Sequence, residues 1–101
     1  MFIYNVTTKI NRSIHKAWVE WMLEEHMPVL IATNCFTHFQ LLKLHDPDDT
    51  EEPTYVAQYF TKSKTDYNRY LELYAQKVRK DTPATWGDNF VAFRTLLEVV
   101  Y

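Results

Sequence analysis

Hydrophobic and polar positions along this chain alternate with a period of two in four stretches and recur with helical spacing in two. In Phe2–Ile10, Tyr4, Val6 and Ile10 fall on one side and Ile3, Asn5 and Thr7 on the other, the alternation of a strand. Ile14, Ala17, Trp18, Trp21 and Met22 then form one apolar helical stripe, with Glu20, Glu24 and Glu25 off it. Ser13 stands where an N-cap hydroxyl accepts from the first turn. Pro28 disfavours helical geometry at Met27, so this helix is expected to end or kink near His26. Pro28 can open a short further turn over 29–33, stopped by Asn34 in left-handed geometry.

Residues 35–45 return to period two, with Phe36, His38, Gln40 and Leu42 on one face and Thr37, Phe39 and Leu41 on the other. The polar run 46–53, DPDDTEEP, reads as a mobile loop. It joins this strand to Thr54–Thr61, where Tyr55, Ala57 and Tyr59 alternate with Val56, Gln58 and Phe60. Ser63 followed by Asp66 fits a capping box, and Tyr67, Tyr70, Leu71, Tyr74, Ala75 and Val78 make a second helical stripe. Thr82-Pro83 can begin another turn, and Gly87, the only glycine, allows the reversal into a last strand over 89–100.

Strand, helix, strand, strand, helix, strand is the order of a ferredoxin-like α+β domain. With right-handed crossovers, it predicts one four-stranded antiparallel sheet, in the order four, one, three, two, with two helices on one face. The other face must be wet, hold a ligand or pack on a partner. Alternation assigns Tyr4 and Val6, the Tyr55, Ala57 and Tyr59 set, and Val91, Phe93 and Leu97 to the helix side. The open face is then expected to carry Phe36 from strand two and Phe90, Ala92, Arg94, Leu96 and Glu98 from strand four. On it, Asn5, His38 or Gln40, Gln58 and Arg94 form a polar row, the candidate ligand-binding residues, since pockets combine apolar walls with a few convergent polar groups. The structural reading of the same row is that its members satisfy one another, or pair across a dimer interface.

Length narrows these options to a single domain, residues 1–101. A hydrophobic content of 47% and an aromatic content of 16% exceed what so small a core needs, which points to association with another subunit. A net charge of -2 without a basic stripe argues against nucleic acid. The single cysteine, Cys35, excludes an internal disulfide and any cysteine-cluster metal site. The opening residues lack a signal-peptide pattern and no apolar run spans a bilayer, so a cytoplasmic protein, off the membrane, is expected.

His26 is the candidate catalytic residue, a general base at the end of the first helix; its structural reading is a cation at a helix C-terminus. His15, His38 and His45 show no metal-ligand spacing with it, and neither a metal nor a cofactor is expected. An RNA-recognition reading of the same topology fails because the third strand lacks the basic, glycine-bearing start that it requires. A phosphate-loop reading fails because no glycine-rich turn follows the first strand.

Several segments together resemble a known family. They are Ile3-Tyr4-Asn5-Val6-Thr7, the run Trp18 to Pro28 with Glu24-Glu25-His26-Met27-Pro28, and Leu30-x-Ala32-Thr33-Asn34-x-Phe36. Tyr55-x-x-Gln58-Tyr59 and Phe90-Val91-Ala92-Phe93-Arg94-Thr95-Leu96-Leu97-Glu98-Val99 complete the set. The chain resembles, nearly end to end, the bacterial family called domain of unknown function 4286; Asn34 stands where that family is expected to carry glycine. The resemblance implies a ferredoxin-like fold and no function. More broadly the plan is similar to dimeric α/β barrels, in which two open sheet faces meet around a lumen. These include cofactor-independent monooxygenases, haem-degrading enzymes and isomerases, several with a histidine near the end of helix one, matched here by His26 through analogy of fold. Two readings follow: a homodimeric small-molecule-binding or structural module, and a cofactor-independent enzyme acting on a small metabolite in the lumen.

Overall fold

β1 (Phe2–Ile10) runs through the middle of a four-stranded sheet, antiparallel to β3 (Thr54–Thr61) on one side and to β4 (Phe90–Glu98) on the other. β2 (His38–Lys43) pairs with the outer edge of β3. The order β2-β3-β1-β4, read from the β4 edge, is four, one, three, two. The sheet is open, and the chain alone closes no barrel. The computed structural model describes residues 1–45, 52–82, 86–87 and 90–101. The acidic run expected to be mobile and the turn at Thr82-Pro83 lie largely outside these residues.

β3 shows why the sheet has two different faces. Tyr55, Ala57, Tyr59 and Thr61 are buried, while Thr54, Val56, Gln58 and Phe60 between them are partly covered. The buried set packs on the helices in an aromatic cluster. Tyr4 lies 5.8 Å from both Tyr59 and Tyr70, ring centre to ring centre, and Phe36 meets Tyr70 edge-on at 5.0 Å. Fully burying such a side chain contributes about 2–3 kcal/mol, and edge or offset aromatic pairs add to it.

Two facing expectations are corrected. Residues directly opposite in an antiparallel ladder share a face, and Val6 pairs with Arg94, Thr8 with Ala92 and Ile10 with Phe90. Phe90, Ala92, Arg94 and Leu96 therefore face the helices, while Val91, Phe93, Thr95 and Leu97 lie on the open face. The strand is apolar on both sides, so alternation alone cannot set its facing; pairing with β1 does, and a shift of one residue exchanges the faces. Phe36 is buried in the helix-side cluster because β2 begins only at His38, so the alternation does not reach back to it.

The first helical layer is α1 (His15–Trp21), a π-helical turn (Met22–His26) and α2 (Met27–Ala32), continuous in backbone. Near His26, where the sequence predicts an end or kink, the helix does not end but widens. Pro28 has no N–H to give and its ring crowds the carbonyl of residue i−4, Glu24. One wider turn removes that conflict, and the Met27 amide donates to the Met22 carbonyl five residues back. Ser13 does not cap α1. Its amide and hydroxyl both donate to Asn11 Oδ1, at 2.9 and 2.7 Å, and Ile14 precedes the helix without a side-chain cap. Ala17, assigned to the stripe, is exposed. Asn34, at φ 64°, takes the left-handed stop expected of it.

α3 (Lys64–Leu73) begins as expected, with the Asp66 amide donating to Ser63 Oγ at 3.1 Å. The second helix then breaks at Tyr74, whose φ of -126° leaves the helical region, and α4 (Ala75–Lys80) follows at once. This break leaves Tyr70 and Val78 buried over the sheet and brings the Arg79 guanidinium beside the Tyr4 hydroxyl. Arg69 ties α3 to the end of α2 by donating to the Asn34 carbonyl at 3.0 Å.

Candidate functional site

A cavity of about 70 Å³ lies between the sheet and the helices. β1 and β3 supply Tyr4, Thr8 and Tyr59 to its floor, and β4 supplies Arg94. The π turn sets His26 and Trp21 into its wall, and α4 supplies Arg79. Trp86, one residue before Gly87 at φ 42°, closes another side. A shallower open hollow of about 280 Å³ shares Trp21, His26 and Val78 with it and is flanked by Glu25 and Asp81.

The π turn explains how His26 reaches this place. Five residues apart, Trp21 and His26 stack at 4.7 Å with 26° between their planes, and Trp21 also meets Trp86 at 5.7 Å. In an α-helix, residues three and four apart are the neighbours on one face; the wider turn makes the fifth one a neighbour too. Burial lowers the His26 pKa to about 4, and the Arg94 guanidinium pushes in the same direction, so its imidazole is neutral near pH 7. Burial raises Tyr59 and Tyr70 out of the range in which they ionise, and each feels Arg94. Arg79 also acts on Tyr70, which sets both guanidinium groups near the same tyrosine.

The charge balance of the cavity is one-sided. Among the described residues its wall holds two arginines, one neutral histidine and several hydroxyls, and no carboxylate. Arg94 makes no hydrogen bond or ion pair among the described residues, and both arginines are exposed at the rim. Trp86 is only 6% exposed, yet its Nε1–H is the one buried side-chain donor without a partner among the described residues. Leaving such a donor unmatched costs about 1–3 kcal/mol, so it marks a place built for an acceptor.

The structure divides the residues that the sequence brought together. Gln40 donates to Gln58 at 2.7 Å, Gln58 to Asn5 at 3.1 Å, and Asn5 to Thr7 at 3.2 Å, a row of amides on the open face. His38 lies on that face as well, stacked on Phe60 at 4.2 Å and hydrogen-bonded to the Thr37 hydroxyl. Arg94 belongs on the opposite side with His26. Sequence reading missed Trp86, Arg79, Trp21 and Tyr4 as cavity residues. A tryptophan beside the only glycine, outside any apolar stripe, was the signal available for Trp86; nothing local marked Arg79. Among the described residues no group of three or more His, Cys, Asp or Glu side chains could hold a metal ion. Cys35 is a buried thiol directed at the Thr33 carbonyl.

The family model described as domain of unknown function (DUF4286) matches residues 1–100. The chain belongs to this family. No curated protein matches it. Among solved structures it is similar to two dimeric ferredoxin-like proteins from an uncultured marine organism. One has a TM-score of 0.78 at 14% identity, covering 99% of this chain and 95% of the other. The second has a TM-score of 0.72 at 10% identity, covering 100% and 96%. An antibiotic biosynthesis monooxygenase-like protein from Nitrosomonas europaea follows, with a TM-score of 0.65 at 18% identity over the full length of both chains. At these identities the likeness shows the fold alone. The family has no assigned function, and among the described residues no helix is long and apolar enough to cross a membrane.

Proposed function

We propose that this protein is a homodimeric binding module, with a small-molecule site in the cavity between sheet and helices of each protomer. The observation that carries the site is the buried Trp86 Nε1–H, without a partner among the described residues, in a cavity that also holds His26 and Arg94. The dimer rests on the open face, where Val91 is 57% and Phe93 65% exposed beside Leu97 on one edge strand and Leu42 is exposed on the other. Exposed apolar side chains of this size are costly in water and are covered by packing two copies face to face. The dimeric ferredoxin-like neighbours support the same reading. In that assembly the amide row of Gln40, Gln58 and Asn5 lies within the interface, and His38 beside it.

A second reading, a cofactor-independent enzyme, is favoured by the neutral His26 inside the cavity. Its lowered pKa makes it a weak base in the free protein, because general bases work best near the ambient pH. We therefore place binding ahead of catalysis.

Native mass spectrometry of the gently purified protein tests both parts of the proposal. A dimer carrying additional mass, lost in a Trp86→Phe variant, is expected. A monomer overturns the dimer. Additional mass that survives Trp86→Phe together with Arg94→Leu overturns the cavity as the site.

A further inference from the structure

We infer that the cavity takes a short-chain monocarboxylate, its acid group at the arginine rim and its apolar tail among the aromatic side chains. This inference rests on the reading of the cavity as a binding site. Three observations carry it. The first is charge: Arg94 and Arg79 both line the cavity and are exposed, and no carboxylate among the described residues lines it to neutralise them. Arg79 is hydrogen-bonded to Tyr4, whereas Arg94, without a hydrogen-bond or ion-pair partner among the described residues, has its fork of donors available to a planar carboxylate. The second is size. At about 70 Å³ the space is roughly half of the 150 Å³ cavity that accepts benzene, so it suits a few non-hydrogen atoms rather than an aromatic ring. The third is lining. Trp21, Val78, Phe90 and Trp86 give the walls apolar surface between the tyrosine and threonine hydroxyls, and the Nε1–H of Trp86, without a partner among the described residues, is one added donor.

Phosphate is the competing anion of similar size. It needs donors around three oxygens and is usually met by successive backbone amides at a helix N-terminus or glycine-rich turn. The hydroxyls of this wall are single side-chain groups and not a run of backbone amides at a helix N-terminus or glycine-rich turn, whereas Trp21, Val78, Phe90 and Trp86 between them match an alkyl tail. The neutral state of His26 fits this division, since it adds no third cation to the interior.

The indole N–H resonances of Trp18, Trp21 and Trp86 in ¹⁵N-labelled protein provide the readout, with Trp86→Phe identifying its own signal. Propionate, propionamide and inorganic phosphate are titrated in turn. Propionate is expected to shift the Trp86 resonance saturably, with propionamide weaker by about tenfold or more, the worth of a charge-assisted hydrogen bond. Arg94→Leu is expected to weaken propionate by a similar factor and to leave propionamide unchanged; Arg94→Lys, which keeps the charge and loses the fork, falls between. Equal binding of acid and amide, insensitive to Arg94→Leu, overturns the carboxylate and leaves the cavity standing as a site for neutral molecules. Tighter binding of phosphate overturns it in favour of an inorganic anion. If none of the three moves the Trp86 or Trp21 resonances, both the carboxylate and the cavity reading fall.

Discussion

At His26, burial against Trp21 and the field of Arg94 act in the same direction, and both penalise the imidazolium. The consequence for stability has a definite sign. Between pH 6.5 and about 4 the unfolded chain binds a proton at this position that the folded chain refuses. Stability is therefore unaffected by His26 above pH 6.5 and is lost as pH falls through that window. A shift of this size is worth on the order of 3 kcal/mol once the pH is below both values. His15, whose pKa is lowered chiefly by burial, contributes in the same direction. In urea unfolding followed from pH 7 to pH 4, His26→Phe is expected to flatten the decline seen in the parent protein. An unchanged slope would place the acid sensitivity elsewhere.

Among the elements, the first helical layer shows a local conflict resolved without a break. Pro28 removes a donor and crowds a carbonyl, and the chain answers by widening one turn. That answer carries Trp21 and His26 to the cavity together. The second layer depends more on its start. Ser63 Oγ accepts from the Asp66 amide, and Arg69 links the same helix to Asp66 and to the Asn34 carbonyl. Ser63→Ala is expected to cost about 1 kcal/mol of stability in denaturant unfolding, with no change in the open face. The Arg69 to Asp66 ion pair is exposed at 3.4 Å and contributes little.

For the whole molecule, the two faces of one sheet have separate tasks. The helix side holds the core and the cavity, and the open side holds an apolar surface with a row of amides that satisfy one another. Phe93 on β4 lies opposite Thr7 and belongs to the open face. Phe93→Asp is expected to abolish the proposed dimer in light scattering, because a carboxylate buried in an interface without a partner is strongly disfavoured. Since Phe93 contributes nothing to the cavity wall, the monomer should retain a folded core by circular dichroism. A variant that remains dimeric would move the interface to another surface.

Element existence was legible because it depends on local rules. Period two marked the four strands, helical spacing marked both helical layers, and Ser63 and Asn34 were read correctly from capping and left-handed geometry. The family was legible from linear motifs. Local rules reached His26 as a candidate without showing what surrounds it. What they did not reach is pairing. β4 carries apolar side chains on both faces, and only its register with β1 turned Arg94 towards the helices and Phe93 away. The cavity was beyond local reading for the same reason: Arg94, Arg79, Trp86 and His26 lie far apart in the chain. Sequence by itself determined the elements, their order and the excess of apolar surface, because these follow from residues near in sequence. Tertiary structure alone decided which polar groups meet, because that depends on how strands pair, where Tyr74 breaks a helix and where Pro28 widens one.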